Sequence, residues 1–311
     1  MGKVVIAGGS GAPGARLSSA LGDKCEVVVL TRQPASNSGV RQVFWDGQTV
    51  GQWAAELDEP DTSVINLAGK LVDCRPNATN IDELINSRVA PTRALVRASQ
   101  QLRAPLAHWV QASTTAIWSD AGEIRCTEST PIPADGLPQM TGVARPWEAA
   151  FVGANVDHGV ILRISIVLDA YSAALKRLAA LTRWGLGGTV GSGRQWVSWI
   201  HLHDWLAIVQ ACLGLNPALN VPAGVLVAAA PNPARNADFM AALRRTLHRP
   251  GLPTPSAVLR LGAGLMRSDP ALALTGRHVT SQILDDLGFR FEYPTLEGAL
   301  SDLLQRSHPR A

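Results

Sequence analysis

Lys3-Val4-Val5-Ile6-Ala7-Gly8-Gly9-Ser10-Gly11-Ala12-Pro13-Gly14 opens the chain, and this stretch decides the fold. A short apolar run gives way at once to glycines and then to a helical pattern through Leu17 and Leu21, so the segment reads as strand, tight turn, helix. Gly8, Gly11 and Gly14 form G-x-x-G-x-x-G within that turn. Glycines permit the tight turn and a close backbone approach, and the following helix turns free N–H groups and a positive dipole end toward a pyrophosphate. The expected contacts are Gly8, Ser10, Gly11, Ala12, Pro13 and Gly14. Pro13 lacks an N–H, but the first turn of a helix tolerates proline. The competing reading is a Gly-rich strand–helix turn with no ligand.

The second strand separates two dinucleotide preferences. In NAD-preferring units an acid about 20 residues along receives the ribose hydroxyls. Here Val27 to Val40 holds no acid, and the strand ends Leu30-Thr31-Arg32. Arg32, with Thr31 beside it, offers forked, charge-assisted hydrogen bonds to a 2′-phosphate, which favours NADP(H) over NAD(H). A solvated loop cation is the bland alternative for Arg32.

Working outward, further β-like runs lie at Cys25–Leu30, Val40–Trp45, Ser63–Leu67, His108–Ala112, Val160–Leu168 and Gly224–Ala229. Continuous rather than alternating apolar runs suit strands covered on both faces of a parallel sheet. A helix is expected over Ile81–Leu102, kinked or divided at Pro91. After Leu168 the pattern predicts a helix at Ala173–Leu181, a Gly-rich turn from Gly185 to Gly193, a β-like Trp196–Ile200 and a helix from about Asp204. Helical stretches follow at Ala237–Leu247, Ser256–Leu265, Thr280–Leu287 and Thr295–Leu304, with a proline-rich connector over Pro250–Pro255. The expected fold class is α/β, a doubly wound Rossmann parallel sheet with a smaller, mostly helical C-terminal substrate lobe. The sheet domain takes residues 1–168 and parts of 194–230, and the lobe takes 169–193 and 231–311. Ligands of such sheets bind outside the carboxyl ends of the strands, where a lobe can wall a cleft.

Composition narrows the class of protein. With 311 residues, 46% of them hydrophobic and 17% charged, the chain can bury a sizeable core. Lys and Arg number 28 against 25 Asp and Glu, a net of +3 without runs of one sign, which argues against a nucleic-acid partner. Cys25, Cys74, Cys126 and Cys212 lie far apart with no C-x-x-C pair, so neither a disulfide framework nor a zinc ribbon fits, and a reducing cytoplasm does. No apolar stretch reaches the ~20 residues that span a bilayer, and a strand starting at Lys3 leaves no room for a signal peptide. The expected partner is a small molecule, with no nucleic acid and no membrane; oligomeric state is left open.

The chain resembles the extended short-chain dehydrogenase/reductase superfamily, and within it the atypical, nucleoside-diphosphate-sugar epimerase-like group. The pieces that carry the resemblance run along nearly the whole sequence. They are the glycine turn, Leu30-Thr31-Arg32, Ile65-Asn66-Leu67-Ala68-Gly69, Ser87-Arg88-Val89, Ala112-Ser113-Thr114-Thr115, Trp147-Glu148, Leu162-Arg163, Gly191 to Gln195, Ser198-Trp199-Ile200-His201 with Asp204, and Gly288 to Leu296. The resemblance implies an NADP-binding domain, with Asn66, Leu67, Ala68, Gly69, Ala112 and Arg163 as further cofactor contacts. It also implies that Ser113 holds a substrate oxygen at the reacting carbon. Without it, a strand-end serine is a turn or cap residue.

Superfamily chemistry normally uses Tyr-x-x-x-Lys. Neither tyrosine, Tyr171 nor Tyr293, has a lysine four residues on, and Met140 to Glu148, the expected region, holds neither residue type. The atypical group shares this departure. Glu148 and Lys70 are therefore the candidate proton carriers, against structural readings in which Glu148 pairs with a nearby arginine and Lys70 is a solvated loop charge. His201 and His203 have a spacing compatible with a metal, but no third ligand is evident and none is expected to bind. The resemblance makes His201 and Asp204 organisers of the junction between sheet and lobe. Trp184, Trp196, Trp199 and Trp205 fall around that junction, where core packing outweighs a ligand wall. Gly185 to Gly193 beside Arg194 is either an entrance for an anionic or sugar-like substrate or a flexible turn. Together these features predict an NADP(H)-dependent oxidoreductase or epimerase acting on a small polar carbonyl or carbinol. The alternative is a non-catalytic NADP(H)-binding sensor or assembly protein.

Overall fold

The computed structural model describes residues 2–35, 39–251 and 269–305. Strands β1 (Lys3–Ala7), β2 (Glu26–Thr31), β3 (Arg41–Phe44), β4 (Thr62–Asn66), β5 (Leu106–Thr114), β6 (Val156–Ile164) and β7 (Gly224–Ala228) form one seven-stranded sheet. Every pairing is parallel, in the order β7-β6-β5-β4-β1-β2-β3. The order reverses between β1 and β4, which opens the ligand crevice of an open α/β sheet at their carboxyl ends. Ala7 is level with Leu30 on one side and Asn66 on the other.

Alternation along β1 feeds two cores. Val4 and Ile6 pack with Leu17 and Leu21 of α1 (Ala12–Leu21), while Val5 and Ala7 face Leu95 of α2 (Ala78–Ser99) and Trp53. Both faces are covered, which is why the strands are apolar without a break. The chain continues through α3 (Thr141–Ala149), α4 (Ala173–Arg183), α5 (Leu202–Cys212), α6 (Asn236–Leu247) and α7 (Leu296–Gln305). A third cluster joins Leu175 of α4, Phe239, Met240 and Leu243 of α6, and Leu300 and Leu303 of α7 beside the sheet.

Three expectations differ in detail. The helix through Pro91 is continuous, starts at Ala78 and is capped by the Asn77 side chain, which accepts from Asn80 N. Pro91 is buried beside Gly47, and Thr92 Oγ1 donates to the Arg88 carbonyl at 2.7 Å. The run Val160–Leu168 divides because Ser165 bonds Ala228 O through both N and Oγ, at 3.0 and 2.8 Å, after which Ile166–Leu168 pairs instead with Trp199–His201. The helix expected from Asp204 begins at Leu202, because His201 caps it by accepting from His203 N at 3.1 Å. The expected helix Ser256–Leu265 and most of the Pro250–Pro255 connector lie outside the described residues.

His201 and Asp204 tie the C-terminal segment to the sheet. Asp204 accepts from Glu292 N at 2.7 Å and Tyr293 N at 3.1 Å, and the Tyr293 ring lies 3.8 Å from that of His201. Trp199 and Trp205 are fully buried core residues, whereas Trp184 is exposed. Burial, aided by the neighbouring His203, pushes the His201 pKa down to about 4, against the pull of Asp302 and Glu292. The unfolded chain, titrating near the ordinary 6.5, binds this proton first, so stability present above that pH is lost as pH falls toward 4. The loss comes to about 3 kcal/mol for this one group. Urea unfolding between pH 7 and pH 4 should show it, and His201→Asn, which keeps a capping acceptor, should flatten that part of the profile.

Candidate cofactor and substrate site

The glycine turn is held by Gly11 N donating to Gly8 O at 3.2 Å, and α1 begins with Gly11 as its N-cap and Pro13 in its first turn. Gly8 has φ of 77°, and a Cβ there would stand 2.8 Å from the Leu67 carbonyl carbon. Across the turn, a Cβ on Gly14 would lie 2.3 Å from Gly9 Cα. Two backbone contacts therefore need glycine, one between β1 and the end of β4 and one between helix and turn. Ser10, Gly11, Ala12 and Pro13 face solvent at the crevice, and the first-turn N–H groups of Ala12 and Gly14 have no acceptor within the helix. This cradle of free N–H groups fits a pyrophosphate.

Thr31 is buried at the end of β2, with its Oγ1 accepting from Gln33 N at 3.3 Å, and Arg32 beyond it is exposed with no acidic partner among the described residues. Arg32 is thus available to a phosphate. Asn66 differs from its expected use. Its Nδ2 donates to Thr92 Oγ1 at 2.9 Å and Gln111 Oε1 at 3.0 Å, while its Oδ1 accepts from Ala68 N at 3.1 Å. The side chain fixes the bend of the backbone over Leu67, Ala68 and Gly69, and does not offer its amide to a ligand.

Ala112 and Ser113 are buried near the end of β5, and Ser113 is in register with Arg163 on β6. Glu148 of α3 reaches both: Ser113 Oγ donates to its Oε1 at 2.5 Å, and Arg163 Nε and Nη2 donate to Oε1 and Oε2 at 2.9 Å each. Arg163 also lies over the Trp118 ring, 5.0 Å from its centroid. The side chains of Arg163 and Glu148 are 6% and 11% exposed, so this forked pair is a desolvated tie between helix and sheet. Arg163, expected as a cofactor contact, thus has its fork on Glu148 and one face on Trp118. It also gives Glu148 the structural pairing that stood as the alternative to proton carriage.

Lys70 is exposed, and its ammonium pairs with Glu83 of α2. That hydrogen bond outweighs desolvation and raises its pKa, which holds it protonated instead of ready to exchange a proton. Ser113 and Glu148 are brought together; Lys70 is engaged elsewhere. Among the described residues no three His, Cys, Asp or Glu form a group able to hold a metal. The Gly185–Gly193 segment is bound to α6 through Val190 N and Asn236 Oδ1 at 2.9 Å.

Two arginines were not singled out by their residue pattern, Arg88, which is buried, and Arg277, which is part-buried. Arg88 lies beneath Gly69, where a Cβ would meet its Cζ at 3.1 Å, and stacks over Trp147 at 5.1 Å. Its guanidinium bonds to carbonyls alone or to Ser87 Oγ, at 2.8 Å to Lys70 O and 3.0 Å to Leu84 O, and burial lowers its pKa to about 10. Trp147 Nε1 beside it is sealed off without an acceptor. The signal for Arg88 was an arginine within the apolar face Leu84–Val89, and that face alone does not distinguish a buried guanidinium from one that snorkels.

Comparison with known proteins agrees with this geometry. Residues 4–137 match the NAD dependent epimerase/dehydratase family, and residues 254–303 match a domain of unknown function. The chloroplastic homolog of epimerase family protein SDR39U1 from Arabidopsis thaliana is 31% identical, over 97% of this chain and 86% of that protein. The chain belongs to the NAD-dependent epimerase/dehydratase family. Human epimerase family protein SDR39U1 is 30% identical, over 97% of this chain and 99% of that protein. The crystal structure of its isoform 2 with NADPH superposes with a TM-score of 0.84 at 28% identity, covering 97% of this chain and 99% of that one. MoeE5 in complex with UDP-glucuronic acid and NAD, at 18% identity and a TM-score of 0.75, shares the fold. Both the extended short-chain family and the doubly wound α/β sheet expected from the sequence are found.

The buried pair makes a stability test. Glu148→Ala leaves the Arg163 charge without its partner, and breaking such a pair costs about 3–5 kcal/mol. A lowered urea midpoint should report it, and the double variant Glu148→Leu with Arg163→Met should recover most of the loss.

Proposed function

We propose that the chain is an NADP(H)-dependent oxidoreductase or epimerase of the atypical extended short-chain type, acting on a small polar carbonyl or carbinol compound. The observation that carries this reading is the backbone cradle formed where Gly8 meets Leu67 and Ala68 at the carboxyl edge of the sheet, with Arg32 exposed after β2. NADPH in the human relative supports the same coenzyme here. When bound, such a coenzyme supplies or accepts hydride at a substrate carbon. The N–H groups of the turn hold its pyrophosphate, and Arg32 forks onto the 2′-phosphate.

Ser113 Oγ, already donating to Glu148, has lone pairs left to accept a carbinol O–H, which would hold that hydroxyl at the end of β5. The locking of Glu148 by Arg163 and of Lys70 by Glu83 favours a second reading, a protein that binds NADP(H) without turning over substrate. Slow or undetectable turnover across a carbonyl panel, despite tight NADPH binding, would distinguish it. All four cysteines are unpaired, which suits a reducing compartment such as the cytoplasm.

Fluorescence titration tests the cofactor. Wild type should bind NADPH more tightly than NADH, and Arg32→Ala should weaken NADPH about tenfold to a hundredfold while leaving NADH unchanged. Protein that binds neither coenzyme would overturn both readings.

A further inference from the structure

Arg277 lies between the short Arg125–Cys126/His278–Val279 strand pair and the start of α3. Its N donates to Trp196 O at 3.3 Å and its carbonyl accepts from Ser198 Oγ at 2.8 Å, so the backbone is fixed on both sides. The side chain is not satisfied. Nη2 reaches Met140 Sδ at 3.9 Å and Thr275 Oγ1 at 3.5 Å, both weak acceptors here, and Nε is sealed from solvent with no acceptor at all. Burial lowers the pKa of the group, and Asp120 and Cys126 act on it only through space. No ion pair forms with it among the described residues, and every Asp and Glu of the chain lies within them. The nearby carboxylates are occupied: Asp120 Oδ1 accepts from Gly276 N at 3.0 Å, and Asp269 accepts from Gln139 Nε2 at 3.0 Å and Ala271 N at 2.8 Å.

A part-buried guanidinium with a sealed, unpaired Nε and no ion pair among the described residues is costly, and its remaining N–H groups are left to a ligand. Met140, which Arg277 touches, directly precedes α3, the helix that carries Glu148. We infer that Arg277 anchors the carboxylate of a small oxo or hydroxy acid, which names the substrate class and rests on the oxidoreductase reading above. A carboxylate matches the fork of one guanidinium in size and charge. A polyphosphate calls for several cations, and those on nearby strands already face carboxylates, Arg125 with Asp285 at 3.8 Å and Arg235 with Glu123 at 2.6 Å.

Isothermal titration calorimetry on the full chain loaded with NADPH, with oxamate, inorganic phosphate and uridine diphosphate as separate probes, tests the assignment. Oxamate should bind wild type, bind Arg277→Met about tenfold to a hundredfold more weakly, and bind Arg277→Lys in between. All three proteins should hold NADPH alike. Arg277→Met should melt no lower than wild type, because it removes a charge that lacks a partner; an arginine kept for structure would give the reverse. Phosphate or uridine diphosphate binding as tightly as oxamate overturns the carboxylate assignment. Oxamate that does not bind, or binds the Met variant equally, overturns the site. If wild type fails to take NADPH, the cofactor reading falls separately, and oxamate titrated against the coenzyme-free chain still decides the role of Arg277.

Discussion

The approach of the Gly8 backbone to the Leu67–Ala68 peptide is the constraint on which the crevice depends. It joins the two strands between which the strand order reverses, and it leaves no space for a side chain. Asn66 supports the same contact from below, by binding Thr92 of α2, Gln111 of β5 and the Ala68 N–H at once. The shape of the ligand edge is thus set by a buried amide network that reaches from the sheet into a helix. Networks of this kind are fully satisfied or strongly destabilising, with little between.

A second tie, Glu148 with Arg163 and Ser113, fastens α3 to the edge formed by β5 and β6. Where a short-chain enzyme usually keeps a mobile proton, this chain keeps a carboxylate engaged by two charge-assisted bonds. Among the described residues, Arg277 and the buried Arg88 under Gly69 carry positive charge without a carboxylate partner. Charge at the site therefore serves to hold and orient more visibly than to exchange protons, which suits chemistry in which the coenzyme carries the reactive step.

How much of this was legible in the sequence follows from how local each feature is. The turn from Gly8 to Gly14 and the apolar strands declare themselves within a few residues, and so does the lack of an acid after β2. Pro91 misleads because a missing donor is local, whereas its packing partner Gly47 comes from 44 residues earlier in the chain. Asn66 was legible as a site position, but its side-chain network was not, since its partners Thr92 and Gln111 converge only in the folded sheet. The Glu148–Arg163 pair depends on the register of β5 against β6 and on where α3 lies, neither of which a spacing of 15 residues between a helix and a strand reveals. Arg277 is silent in sequence because an arginine next to a glycine looks like any surface loop.

The grip of Asp204 on the N–H groups of Glu292 and Tyr293 has an architectural consequence. The last helix is not an appendage draped over a finished domain; its lead-in is stitched to α5, whose own apolar side completes the floor beneath the sheet. Trimming the chain ahead of residue 292 would leave a desolvated carboxylate facing nothing and uncover the ring of His201. The segment from Glu292 to Gln305 thus behaves as a keystone.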